Sequence, residues 1–565
     1  MRESRANKEI DVVPERTEPI QENMLPNMVG AVETAEIEEA GEPLGEVGAQ
    51  HLLKRSPNGY LLNQIYGLWF YLSWFILMTI ITRKVSTEQY GVLAVLLTAS
   101  NTILYIVAFG LEDAITTYVP RIFAEQGLAA AGSLIRRLLL LRIAVLILST
   151  CALLFSLPLL ANLIAVLPIN GAKEVAAGLR DPLLLTHNVP IAIYVLGSSI
   201  GGLLSAVCAA FMRMRIVLVV SGLTQLALLV IGFLVLQLGW GVDGVLWALA
   251  ISSLANAIAF TLWLAPTLIV RGAQYKQPLG PVVKLGISAW QTNLVNGALL
   301  KQTLIILLGY FAISLTQRGF FNLSFQLADA ANTLLVMGFI GVGSSALAAA
   351  AIGKNYDRLS RSWEALIKVE TLLTAPVLVF CLFNAQNIVA ILYTKDFAAV
   401  GPLLAIFLFF NTIVRVLGTT IHQSTLYVMN KSRLVVLSQW AGMLAVVVLG
   451  IALIPRYGPA GALVADGIAK SLTGALLLAF LWHDLPRKYP LGFTLRFLLA
   501  LTIAALPGIV WHPTNRILFG LSGVIFLVLC AGLLLVIKPL NAEDMEMIQG
   551  VSPKVVRYLR WFARG

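Results

Sequence analysis

Charge is scarce in this chain. Only 12% of its 565 residues are Asp, Glu, Lys or Arg, while 58% are hydrophobic and the mean hydropathy is +0.84. Soluble globular domains carry roughly 25% charged residues, so this composition excludes that class and points to a polytopic helical membrane protein. Cysteine is equally sparse. Cys151, Cys208, Cys381 and Cys530 all lie in apolar stretches, which suggests neither a disulfide framework nor a metal site. Signatures of catalysis are missing as well. The segment GIAKS (Gly467–Ser471) resembles the end of a phosphate-binding loop, but Ala469 stands where a glycine is required and the segment is apolar on both sides. There is no Gly-x-Ser-x-Gly, no Asp-x-Asp and no zinc-ligand spacing. ATP is thereby excluded as the direct energy source, and no enzyme activity, catalytic residue, metal or cofactor is expected. No signal peptide is expected either, because no short apolar core follows a basic start.

What remains is a series of apolar spans behind a distinctive tail. Residues 1–50 carry 12 acidic and 4 basic side chains together with Pro14, Pro19, Pro26 and Pro43, which predicts a disordered acidic segment through residue 55. Spans centre near residues 71, 100, 149, 200, 227 and 255, then near 299, 335, 375, 415, 444 and 471, with a final pair near 503 and 527. The spans divide the chain into an N-lobe (60–266), a C-lobe (285–482), a last pair (494–537) and a basic interfacial helix (553–564). The fold expected is all-α, with about 14 transmembrane helices in two six-helix lobes plus two. Sorting Lys and Arg by alternate sides of these spans puts 24 on one side and 8 on the other, which places both termini in the cytoplasm. Basicity distributed in this way anchors the chain to membrane lipids and predicts no nucleic-acid partner. The longest outer loop, about residues 161–188, is too short for the extracytoplasmic domain of a membrane polymerase or ligase.

The two lobes are copies. LQLGWGVDGVLWALA (Leu236–Ala250) aligns with LIPRYGPAGALVADG (Leu453–Gly467), setting Gly241 on Gly458 and Gly244 on Gly461. Upstream, the segment ending at Ser221 aligns with the one ending at Ser438, and the stretch around Gly91 resembles that around Gly319. Six spans per copy make the lobes parallel, related by an axis along the membrane normal. Charges within spans gather in the second copy. Arg415 sits at the centre of a 27-residue apolar stretch (Pro402–Val428) and shares a helical stripe with Asn411, Gly418 and His422. Lys301 and Asn296 lie in span seven, and Lys470 follows Asp466 at i,i+4 in span twelve. Arg415, Lys301, Asn411, His422, Asn296 and Lys470 are the candidate cavity residues, because an intramembrane charge marks a functional path by default. Asp329 and Asp466 are candidates for ion coupling, and Asp329 is the expected partner of Lys301 or Arg415. Arg142 is expected to snorkel to the cytoplasmic face, and Glu112, Asp113 and Arg121 are expected to form a solvated cluster at the inner mouth after span two.

VSTEQYGVLAV (Val85–Val95), FGLEDAITTYVPRI (Phe109–Ile122) and the doubled Gly-x-x-Gly openings of spans six and twelve carry a resemblance. Over about residues 60–540 the chain resembles the polysaccharide-transport branch of the MOP exporter superfamily, the Wzx-type flippases. The resemblance implies a V-shaped cavity between two lobes, opening alternately to each side of the cell membrane. It also implies a polyprenyl-diphosphate-linked oligosaccharide as cargo, destined for a cell-surface polysaccharide, with glycosyltransferases and a glycan polymerase as pathway partners. The alternatives are a drug/cation antiporter of the same superfamily, a lipid II flippase, and a non-transporting scaffold of a glycan-assembly complex. The antiporter should show a carboxylate-rich cavity, and the scaffold has no need of intramembrane charge.

Overall fold

A computed structural model describes residues 45–151, 162, 186–211, 213–269, 275, 278–294, 300–330, 347, 356–429, 431–511, 515–538, 545 and 560–562. Outside these lie the tail up to residue 44, nearly all of the loop 161–188, Asn296, and the basic segment 553–564 save 560–562.

Helices dominate, as the composition dictates. The N-lobe holds α1 (Gly45–Lys84), α2 (Thr87–Ala108), α3 (Leu111–Cys151), α4 (Asn188–Ala210), α5 (Met214–Gln237) and α6 (Gly241–Ile269). The C-lobe holds α7 (Gly280–Asn293), α8 (Leu300–Tyr310), α9 (315–330), α10 (Tyr356–Phe383), α11 (Ala385–Leu392), α12 (Val400–Val416), α13 (Thr419–Val428) and α14 (Ser432–Trp482). Finally come α15 (Leu491–Ala505) and α16 (Arg516–Ile537). Among the described residues, nine helices are long and apolar enough to cross a membrane. Helix α1 begins inside the stretch expected to be disordered through residue 55. Residues 45–55 contain no proline and run straight into the first span.

Two of the long helices are broken inside. In α3 the break is at Gly127 (φ 82°, ψ −179°). In α14 it is at Gly458 (φ 55°, ψ −131°), where the chain doubles back, since the Thr473 hydroxyl donates to the Ser438 carbonyl at 3.4 Å. The N-lobe makes the same hairpin from α5 and α6. There Gly241 has φ +54°, and Thr224 and Ser252 link the two helices, the Ser252 hydroxyl donating to the Thr224 carbonyl at 2.9 Å. The two glycines that the repeat aligns therefore adopt the same left-handed φ at the same turn, a conformation that costs any other residue energy.

The lobes touch where their equivalent residues meet. A Cβ on Gly91 would lie 2.0 Å from the Leu315 carbonyl oxygen, and one on Gly319 would lie 3.0 Å from the Gly91 Cα. Two copies related by a twofold axis bring matching residues together only beside that axis, so the axis passes between Gly91 and Gly319. Around this point Phe397 receives the edges of Tyr90 and Phe320, with centroids 5.8 and 6.0 Å away, and Arg83 donates to the Leu392 carbonyl. A second junction lies near the opposite end of α2. Trp290 of α7 stacks on Phe109 at 5.4 Å and donates its indole N–H to the Tyr105 carbonyl at 2.7 Å. Packed rings and backbone thus close the lobes upon each other at both places.

Candidate functional site

The 27-residue stretch around Arg415 is not one helix. It breaks at Gly418 (φ +77°), which ends α12 and begins α13. A break inside a membrane frees backbone carbonyls, each costing several kcal/mol if left bare. Side chains take up two of them here: the Thr419 hydroxyl donates to the Val414 carbonyl at 3.1 Å and the Tyr489 hydroxyl to that of Val416 at 2.6 Å. Arg415 braces the same joint. Its guanidinium donates to the Thr420 hydroxyl at 2.9 Å, across the break, and to Glu370 of α10 at 3.0 Å. Glu370 is only 1% exposed. His422, fully buried, accepts from the Trp363 indole at 3.0 Å through Nδ1, so the neutral ring carries its proton on Nε2. Asn411 is buried one turn before Arg415.

The expected pairing of Arg415 with Asp329 is therefore replaced by Arg415–Glu370. Glu370 was the signal to weigh: it is the last acidic residue before the uncharged run 371–383. Arg142 also departs from expectation. It is 1% exposed, bonded to Glu112 and to the Val107 carbonyl. A guanidinium with two acceptors within its own lobe has no need to reach the interface.

Lys301 and Lys470 converge. Both ammonium groups sit 4.9 Å from the centroid of one ring, Phe325 of α9. Lys470 is also 5.1 Å from the Phe407 ring, which packs against Phe325 at 4.6 Å. Ring faces attract cations, so the two aromatic side chains hold two like charges close together. Carboxylates balance them. Asp466 pairs with Lys470 at 2.7 Å, the acid 3% and the lysine 26% exposed. Asp329, exposed on α9 one turn beyond Phe325, acts electrostatically on Lys301. An ionised side chain left partly open within a span must face a wet cavity, since lipid would penalise it heavily. The site is therefore charge-balanced, where the sequence alone suggested an excess of cations. Phe325 and Phe407 went unnoticed in the sequence because a lone aromatic residue in an apolar helix carries no signal.

No family model matches the sequence, and no curated protein does. Solved structures share its fold. A structure described as lipid II flippase MurJ in an inward closed conformation superposes with a TM-score of 0.62 at 14% identity, covering 85% of this chain and 97% of its own. A multidrug resistance MATE family transporter of the MOP superfamily, inward-facing, gives 0.53 at 15% identity, covering 75% and 94%. The MATE multidrug transporter DinF-BH gives 0.56 at 14%, covering 77% and 97%.

The fold is that of the MOP transporters. At these identities the likeness establishes architecture alone, and the MOP fold carries both flippases and drug exporters.

Proposed function

We propose that this chain is an alternating-access flippase for a polyprenyl-diphosphate-linked saccharide, and that Lys301 and Lys470 receive the diphosphate. The observation that carries the proposal is the pair of ammonium groups on one phenyl ring. Both ammonium groups can donate charged hydrogen bonds to a doubly charged anion, an interaction that no organic cation can make with them. The polar head of such a lipid cannot cross hydrocarbon unaided. The likeness to the flippase also covers about a tenth more of the chain than the likeness to the first of the MATE structures.

In this reading the lobes tilt against each other, and the closures at Phe397 and at Trp290 open in turn. The chain lies in the cytoplasmic membrane with both termini inside, and the glycosyltransferases and polymerase of a surface polysaccharide supply and consume its cargo. Arg415 and His422 brace the span-ten joint, with Asn411 buried one turn before it, and the three do not touch the cargo.

The test is reconstitution. Proteoliposomes carrying a lipid-linked oligosaccharide should expose it to an external lectin faster than empty liposomes, and Lys301→Gln with Lys470→Gln should remove the gain. Efflux of cationic dyes without any flipping would replace the proposal with the antiporter. Neither activity would leave the scaffold.

A further inference from the structure

We infer that Asp466 takes up a proton when the anionic head group binds, so that cargo binding and protonation are linked. The inference rests on the proposed site at Lys301 and Lys470. Its ground is the asymmetry of the Asp466 carboxylate. One oxygen bonds Lys470 at 2.7 Å, while the other, Oδ1, is buried without any hydrogen-bond partner. The acid is 3% exposed and its lysine 26%. Lys470 can thus turn toward an incoming phosphate, whereas Asp466 cannot turn toward water.

The charged groups around Asp466 decide how it responds. On its own helix the cation is Lys470. Across from it α9 brings Phe325 and Asp329, and α8 brings Lys301, which is already engaged on the same ring. Helix α12 offers Asn411 and Arg415, and Arg415 is committed to Glu370 and Thr420. No second cation stands ready among the described residues. A buried carboxylate that loses its one counter-charge costs several kcal/mol, and a protein avoids that cost by neutralising the group. When the phosphate draws the Lys470 ammonium away, the Asp466 carboxylate gains a proton from solvent on one oxygen. When the phosphate leaves, the carboxylate returns that proton and recovers its lysine. Linkage then requires that acid conditions strengthen anion binding.

Farnesyl diphosphate serves as the probe, added to the full-length protein in detergent and sodium-free buffer near neutral pH. Titration calorimetry in buffers of different ionisation enthalpy counts the protons taken up on binding. The wild type should take up about one proton more per ligand than Asp466→Asn, and Asp466→Glu should restore the uptake. Glu370→Gln, which removes a buried acid outside the lysine pair, should lower the yield of folded protein but leave the uptake per bound ligand at the wild-type level. If Asp466→Asn does not insert, the infrared band of a protonated carboxyl that appears on binding decides: it should shift in Asp466→Glu and stay in Glu370→Gln, and a band that stays in the first or is lost in the second overturns the inference. Binding that needs both lysines but shows no Asp466-dependent uptake, or that responds to sodium in place of protons, overturns the inference and leaves the flippase reading standing. If the wild type does not bind the probe, or binds it as well in Lys301→Gln/Lys470→Gln, both readings fall.

Discussion

The two lobes descend from one pattern, yet they handle equivalent positions in opposite ways. Where the C-lobe has Arg415, the N-lobe has Gly197, and a Cβ there would lie 2.5 Å from the backbone of Ser253. Where the C-lobe has Lys470, the N-lobe has Ser253 itself, whose hydroxyl bonds back to the Ala250 carbonyl at 2.9 Å. In the first lobe, α4 and α6 meet backbone to backbone through small residues, a mode that gives close contact in apolar surroundings. In the second, the space is opened by long cations, a broken helix and two carboxylates. Duplication thus left one copy as a packed frame and let the other carry charge and a joint. Even so, the N-lobe has its own ion pair, Arg142–Glu112, of which only the arginine is buried, and both residues sit on α3.

The largest effect should come from breaking the charged joint of the C-lobe. Glu370→Ala leaves the Arg415 guanidinium buried without its main counter-charge, a loss of about 3–5 kcal/mol. Arg415→Ala leaves Glu370 stranded to a similar degree. Each variant should lower the amount of folded protein in the membrane, read by fluorescence-detected size exclusion. The double variant should cost clearly less than the sum, because the two side chains form one unit. Normal abundance for Arg415→Ala, with transport lost, would instead put the arginine in the cargo path.

The matching perturbation of the N-lobe is Gly197→Leu. It drives a side chain into the Ser253–Leu254 backbone and should cost at least about 1–3 kcal/mol through overpacking. A lowered thermal midpoint with transport retained by the surviving molecules is the expected result. If the N-lobe tolerates leucine there, its role as the packed frame fails.

How far the sequence reached follows the same division. The all-helical membrane fold, the repeat and the Gly241–Gly458 match were legible because they depend on composition and on turn chemistry, which are local. The pairing of Lys470 with Asp466 was also legible, since i,i+4 spacing on a helix fixes neighbours. Partners on different helices were not. Asp329 looked like the acid for Lys301 or Arg415, and it acts on Lys301; that Arg415 takes Glu370 depends on how α10 packs on α12, which periodicity does not specify. Nor did the apolar run around Arg415 announce a break. Gly418 lies in an otherwise good helix former, and its φ of +77° is tolerated because Thr419 and Tyr489 bond the freed carbonyls of Val414 and Val416.

Also in the C-lobe, the lysine pair should give an intermediate effect, one that falls on function alone for Lys301. Lys301→Gln and Lys470→Gln each remove one ammonium from the Phe325 ring, and a hydrogen bond to a charged group contributes about 1.5–3 kcal/mol. Flipping at subsaturating cargo should fall roughly tenfold to a hundredfold for each. Lys301→Gln should be the cleaner of the two, since Lys470→Gln also leaves Asp466 without its lysine. A variant of Phe325 to Leu should weaken transport less, because it removes only the ring on which both cations rest. Equal losses for all three would mean that packing, and not charge, governs the site.

The smallest predicted effect is the most local. Tyr489, in the segment joining α14 to α15, donates to the Val416 carbonyl at 2.6 Å and shares a 3.2 Å bond with Thr494. The segment is held in place by Lys431–Asp484 at 2.8 Å and Arg487–Glu364 at 3.1 Å. Tyr489→Phe keeps the ring and the tether but leaves one carbonyl of the broken helix bare, which should cost about 1 kcal/mol and up to about 3 if no water reaches it. The N-lobe offers the control that makes this small number readable. Helix α4 continues without a break through Gly197, so it has no freed carbonyl to cap and no counterpart of Tyr489. Hydrogen exchange should therefore quicken in α12 and α13 of the Tyr489→Phe variant and stay unchanged in α4. Faster exchange in both lobes would show a general loosening, and no change in either would show that the break closes its own carbonyls without help from the tyrosine.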